Sequence, residues 1–166
     1  MYTHLKTVLI NVDNNNQQIG IIKPFINESV EADKLYYDVN DSEEEQANSL
    51  IYFENTYMKN TGVLYKDSKE FEIVTVLDGT ILNIKEDDIL GKMVEIEHTP
   101  NLRTVYYSLE NIEVKVGDFL NQGDVIGISG ANNISDNKYN LLFEVNYNGT
   151  LINPDDFYNM DASSFY

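Results

Sequence analysis

Apolar and polar residues alternate along the chain in short runs broken by turn residues. From Phe71 onward the runs "FEIVTVL", "TILNIK", "KMVEIEH", "LRTVYYSL", "IEVKV", "DVIGISG", "YNLLFEVNY" and "TLIN" follow one another, separated by clusters of Gly, Pro, Asn and Asp. Eight such runs within about ninety residues predict a compact all-β domain. In "KMVEIEH", Val94, Ile96 and His98 fall on one face and Met93, Glu95 and Glu97 on the other, the two-residue period of a half-buried strand. In "NLLFEVNY", Leu141, Phe143, Val145 and Tyr147 share a face expected to point into the core. The opposite face carries Asn140, Leu142, Glu144 and Asn146, and is polar except for its single leucine.

Ahead of Phe71 the pattern differs. "DSEEEQANSLIYFENTY" holds the best helix signal: Ser42 and Glu45 have the spacing of a capping box, and the early glutamates suit the positive end of a helix. The segment predicts two or three turns with Ala47, Leu50 and Ile51 as the apolar stripe, before "IYF" and "NTY" lead into extended chain. Residues 1–10 predict one short strand, "NVDNNNQQIG" a polar connection, and Pro24 an extended segment before it. In "VKVGDFLNQGDVIG" the pair Gly-Asp occurs twice, so two tight reversals are expected around Phe119 and Leu120. Asp118 and Asp124 read there as turn formers rather than cation ligands.

Composition narrows the function classes. With 42% apolar and 23% charged residues, the 166-residue chain is globular and long enough to bury a core. Eleven Lys and Arg against 28 Asp and Glu give a net charge of −17. Such a surface is repelled by phosphate backbones, so nucleic acid is not an expected partner. The chain has no cysteine, hence no disulfide, thiolate nucleophile or Cys-based zinc site. The apolar runs are far shorter than the ~20 residues that span a bilayer. The first ten residues do not read as a secretory signal. The expectation is either a cytosolic protein or a soluble piece of an anchored one.

Candidate chemistry is sparse. The only histidines are His4 and His98, too few for a three-ligand catalytic zinc site, and His98 reads as a structural strand-end residue. Ser129 in "GISGA" lacks the spacing of a nucleophile elbow, and no glycine-rich phosphate loop leads from a strand into a helix. Lys92-Met93 is a pair of the kind a biotinyl or lipoyl carrier uses, but it begins a predicted strand rather than standing at a hairpin tip.

The order of turns and strands, "VLDGTI…GKMVEIEH…RTVYYSLENIEVKVGDFLNQGDVIGISG…YNLLFEV…INPDDF", resembles the zinc endopeptidases of the lysostaphin and LytM type, which cut peptide cross-links in bacterial cell walls. The resemblance covers roughly Tyr57 to Tyr158. It implies a mainly β fold: a LytM-like antiparallel domain of the duplicated hybrid motif or barrel-sandwich type, with a short N-terminal helix. It also implies where a zinc site would lie. The family's His-x-x-x-Asp falls on "NTGVL", with Asn60 for the histidine and Leu64 for the aspartate. "YxHL" falls on "YYSL", with Ser108 for a catalytic histidine. His-Leu-His-Phe-Glu falls on "NLLFE", with Asn140 for a catalytic histidine and Leu142 for the last zinc ligand. Leucine has no lone pair for a metal, and without the metal neither water nor a scissile carbonyl is activated. The expectation is therefore a degenerate site with no catalytic residues, no metal and no cofactor.

The upstream stretch "SEEEQANSLIYFENTYMKNTGVLY" further resembles the lead-in of the stage II sporulation protein Q family of Bacillus and Clostridium relatives. That resemblance divides the chain into an extension (1–22), a lead-in with a short helix (23–56), the degenerate LytM-like β domain (57–160) and a tail (161–166). It implies a non-catalytic interaction domain that binds stage III sporulation protein AH in a forespore–mother cell channel and supports engulfment. Rings or larger assemblies are implied, with a membrane helix ahead of residue 1 and a location at the forespore membrane facing the space between forespore and mother cell. The alternative is a zinc endopeptidase acting on peptidoglycan cross-links.

Overall fold

The computed structural model describes residues 19–166. The strand expected over residues 1–10, and His4 with it, lie outside the described residues. The elements are β1 (Glu31–Lys34), α1 (Glu43–Asn48), β2 (Leu50–Phe53), β3 (Thr56–Lys59), β4 (Val63–Asp67), β5 (Glu72–Val74), β6 (Gly79–Asp87), β7 (Gly91–Thr99), β8 (Leu102–Glu110), β9 (Phe119–Leu120), β10 (Val125–Ser129), β11 (Tyr139–Tyr147), β12 (Thr150–Ile152) and α2 (Pro154–Phe157), closed by a 3-10 turn (Ala162–Phe165). The chain is mainly β, as expected. One antiparallel sheet runs β1-β4-β11-β8-β7-β6-β9, with β12 on β11 and the pair β5–β10 joined through β8; β2 and β3 form a separate two-stranded sheet.

The two-residue period fixes which side of each strand is core. Leu141, Phe143 and Val145 on β11 are buried, as are Val94 and Ile96 on β7, and they pack with Tyr106, Ile81, Val63, Phe71 and Phe157. Phe143 lies against Tyr106 and stacks with Tyr158, so α2 is clamped beneath the centre of the sheet. The closing turn adds Ala162 to the core and sets Phe165 edge-on to Tyr147.

The turns follow their residues. Asn148 (φ 53°) and Gly149 (φ 78°) form the two-residue connection between β11 and β12, the left-handed pair a right-twisted hairpin prefers. Gly117 and Gly123 take positive φ. The Asp118 carboxylate accepts from Lys115 N and that of Asp124 from Asn121 N, so both aspartates form turns as expected.

Three expectations need correction. First, α1 has only six residues, because Leu50 and Ile51 leave the helix for β2 and Ser49 caps it. The capping box itself is present: Ser42 accepts from Glu45 N, and the Glu45 carboxylate accepts from Ser42 N. Second, "IEVKV" is not a strand. Its amides go to separate partners, Glu113 N to Ile126 O and Lys115 N to Asp118, so no ladder forms, and Phe119–Leu120 pairs with β6 instead. Third, β5 ends at Val74: beyond it the Thr75 hydroxyl donates to Leu77 O two residues on, and the bend precedes Gly79, which already belongs to β6.

Candidate functional site

Strands β4, β11, β8 and β7 are neighbours, and their registers define one surface opposite the core. Leu64 lies directly opposite Leu142, Leu142 opposite Tyr107, and Tyr107 opposite Met93. Directly opposed residues share a face, so Leu64, Leu142, Tyr107 and Met93 form a row across it. One step along lie Glu144, Val105 and Glu95.

This is the face on which the family resemblance places a metal site, and the residues there do not fit a zinc ion. Leu64 and Leu142 are 1% and 2% exposed, a buried apolar pair with no donor atom. Asn60, also buried, is fully engaged: Nδ2 donates to the carbonyls of Lys34 (3.1 Å) and Leu35 (2.9 Å), and Oδ1 accepts from Gly62 N (3.3 Å). Its amide joins the end of β1 to the start of β4 instead of turning to Leu142. Among the described residues, no group of three His, Cys, Asp or Glu is placed to hold a metal ion.

Ser108 on β8 and Asn140 on β11 both lie beside Gly130, each with its own hydrogen-bond partners. Asn140 exchanges backbone hydrogen bonds with Gly130 and donates Nδ2 to Gly130 O (3.1 Å) and Asn137 O (2.7 Å). Its Oδ1 is buried and accepts no hydrogen bond from any described residue. Ser108 has φ 71°. Its hydroxyl donates to Leu90 O (2.8 Å) and accepts from Asn132 Nδ2 (2.9 Å), joining the β6–β7 turn to the β10–β11 loop. Neither residue is a base: the serine is held in a structural bridge, and the amide has no proton-accepting nitrogen.

Thr61, Tyr107 and Gly62 went unnoticed in the sequence. Thr61 donates its hydroxyl to Glu144, tying the start of β4 to β11. Burial pushes the Glu144 carboxyl up, partly offset by that bond. Burial pushes the Tyr107 phenol up to about 12, helped by the charges of Glu144, Asp87 and Glu95. Alternation beyond Leu142 placed Glu144 on this face, but nothing in the sequence announced Thr61 as its partner. Gly62 makes the arrangement possible: a Cβ there would sit 2.1 Å from Phe143 O.

His98 lies away from the row. Its Nδ1 contacts Asp78 O (2.8 Å) and its Nε2 contacts the Thr104 hydroxyl (2.7 Å), which itself donates to Tyr106. Burial pushes its imidazole down to about 4, against the opposing influence of Asp78, so the ring is neutral and structural. Lys92 and Met93 lie within β7, beyond the β6–β7 turn.

A strand-built groove floor with these registers defines a class. Residues 58–154, more than half the chain, match the model of peptidase family M23, and the chain belongs to that family. Stage II sporulation protein Q of Bacillus subtilis (strain 168) is 34% identical over 92% of this chain, which spans 58% of that protein's length. A chain of the SpoIIQ–SpoIIIAH pore-forming complex has a TM-score of 0.81 at 34% identity, over 89% of this chain and 96% of its own. A zinc-containing peptidase from Vibrio cholerae shares the fold, with a TM-score of 0.66 at 16% identity over 84% of this chain and 40% of its own.

Proposed function

We propose that this chain is a non-catalytic interaction domain built on the M23 scaffold, with the partner that SpoIIQ has in its complex, stage III sporulation protein AH. The carrying observation is that similarity to the sporulation protein extends across 92% of the chain, well beyond the residues 58–154 matched by the peptidase family. The lead-in therefore belongs to the likeness as much as the groove does.

The groove supports the non-catalytic half of this reading. In a zinc peptidase the ion acidifies a bound water and polarises the scissile carbonyl, which requires three protein ligands and an open position. Here Leu64 and Leu142 occupy two of the positions implied for those ligands, and the amide at the third, Asn60, is committed to backbone partners. What the scaffold retains is a rigid sheet with exposed strand edges, able to hold a partner without chemistry.

By the same likeness, the full-length protein is anchored by a membrane helix ahead of residue 1. It sits at the forespore membrane facing the intermembrane space and assembles with its partner into rings. The 1–22, 23–56, 57–160 and 161–166 division remains the proposed organisation.

The test is to mix the chain with the soluble part of stage III sporulation protein AH from the same organism and follow them by size exclusion with light scattering. A stable complex is expected. Two separate species at tens of micromolar would overturn the partner assignment.

A further inference from the structure

The β2–β3 hairpin stands outside the main sheet and carries an aromatic face left exposed among the described residues. Tyr52 lies directly opposite Tyr57 and Leu50 opposite Lys59, so these four share one face. The two tyrosines are 53% and 69% exposed, with ring centroids 5.0 Å apart. The reverse face holds the buried Ile51 and fixes the hairpin to the rest of the molecule. The turn is rigid for its length: Glu54 and Asn55 both take positive φ, and the Tyr52 hydroxyl donates to Asn55.

Charge around this face is nearly all of one sign. Lys59 continues the face onto Tyr37, with its ammonium 4.8 Å from the ring centroid. The Tyr37 hydroxyl then donates to Gln46 of α1. That helix carries Glu43, Glu44 and Glu45 in its first turn. Asp38 and Asp41 precede it, and the Asp41 carboxyl is pushed up by desolvation and by the charges of Glu45 and Asp38. The hairpin tip adds Glu54.

We propose that this face is a docking surface for a basic protein segment, with Arg or Lys side chains lying over Tyr52 and Tyr57 and their charges met by the α1 carboxylates. Aromatic faces attract cations, and guanidinium groups stack on them readily. The Lys59–Tyr37 contact is the same chemistry made within the chain. A second copy is a poor occupant, because a chain that carries −17 repels its own kind. Anionic lipid and nucleic acid are repelled by the same carboxylates. The inference does not depend on the partner proposed above, because it rests on the exposure and charge of the hairpin and not on the likeness to the sporulation protein.

The probe is a short peptide of alternating Arg and Ser, with a Gln-for-Arg peptide as control, titrated into the full chain and followed by amide chemical shifts. Shifts confined to residues 37–59, absent with the Gln peptide, are the expected result. Tyr52→Ser with Tyr57→Ser leaves the charge unchanged and should weaken binding roughly five- to thirtyfold, the loss of two exposed cation–π contacts. Glu86→Gln with Asp88→Asn, at the end of β6 and in the turn after it, should leave it within about twofold. The shift map needs no substitution, so it decides the matter even where the double variant loosens the hairpin. Absence of binding, or shifts spread over the whole acidic surface, overturns the proposal.

Discussion

Leu142 carries the most informative single perturbation. It is 2% exposed and lies between Leu64 and Tyr107 on a face that alternation alone would make polar. If the leucine pair fills the floor of the groove, Leu142→Ala removes the isobutyl carbons beyond Cβ at ~0.8 kcal/mol each and leaves a cavity that strands β4 and β8 cannot close. The two contributions together come to about 3 kcal/mol. For a domain of this size that lowers Tm by roughly 6–12 °C. Urea unfolding followed by tyrosine fluorescence measures it, with Leu142→Met as a near-isosteric control costing less than about 1.5 kcal/mol. A loss below ~1 kcal/mol for the alanine variant would mean that the side chain faces an open groove, and the packing argument would fail. Leu142→His makes the complementary point. The new imidazole lies opposite Leu64, and Asn60 stays bonded to Lys34 O and Leu35 O, so zinc should leave the variant's Tm unchanged. A zinc-dependent rise would show that a ligand set had been overlooked.

Four further outcomes follow from the same geometry. Gly62→Ala places a Cβ against Phe143 O and should cost more than ~3 kcal/mol, or prevent folding, as read from the urea midpoint or soluble yield. Asn60→Ala strands two carbonyls and the Gly62 amide and should cost roughly 2–4 kcal/mol by the same measurement. Ser42→Ala removes the α1 cap and should cost about 1 kcal/mol, visible as faster amide exchange at Glu45 and Gln46. His98 is neutral when folded, with its pKa lowered to about 4 from an unfolded value of 6.5. The unfolded chain therefore takes up the proton first: His98 costs no stability above pH ~6.5, and stability falls as pH drops from there towards 4, by roughly 2–3 kcal/mol in all. Unfolding at a series of pH values should show a steeper loss over that window for the wild type than for His98→Gln; parallel curves would contradict the neutral, buried imidazole.

Most strands from Phe71 onward were legible because they carry a two-residue period with one strongly apolar face, and Leu141, Phe143 and Val145 could have no other place than the core; β1, with the sequence Glu-Ala-Asp-Lys, and β4 were not, because neither carries a sustained apolar alternation. The hairpin turn at Asn148–Gly149 and the Gly-Asp reversals were legible because few residues accept a left-handed backbone. The ends of elements were not. Whether Val114 joins a strand, or Leu50 a helix, depends on which distant carbonyl meets each amide, and local pattern carries no record of that. The site divides in the same way. The lone apolar residue on the polar face of β11 was visible, but the hydrogen bonds that commit Asn60 and Ser108 span 26 and 18 residues and needed the fold. Thr61 was invisible because its role is set by Glu144, 83 residues away.

The central claim is that an M23 scaffold works here by contact and not by metal chemistry. Calorimetric titration of the chain with the soluble part of stage III sporulation protein AH, in buffer with EDTA and again with added zinc, tests it directly. The account predicts a complex whose Kd agrees within about twofold between the two buffers. No heat of binding in either buffer, or binding that the chelator abolishes, would contradict it.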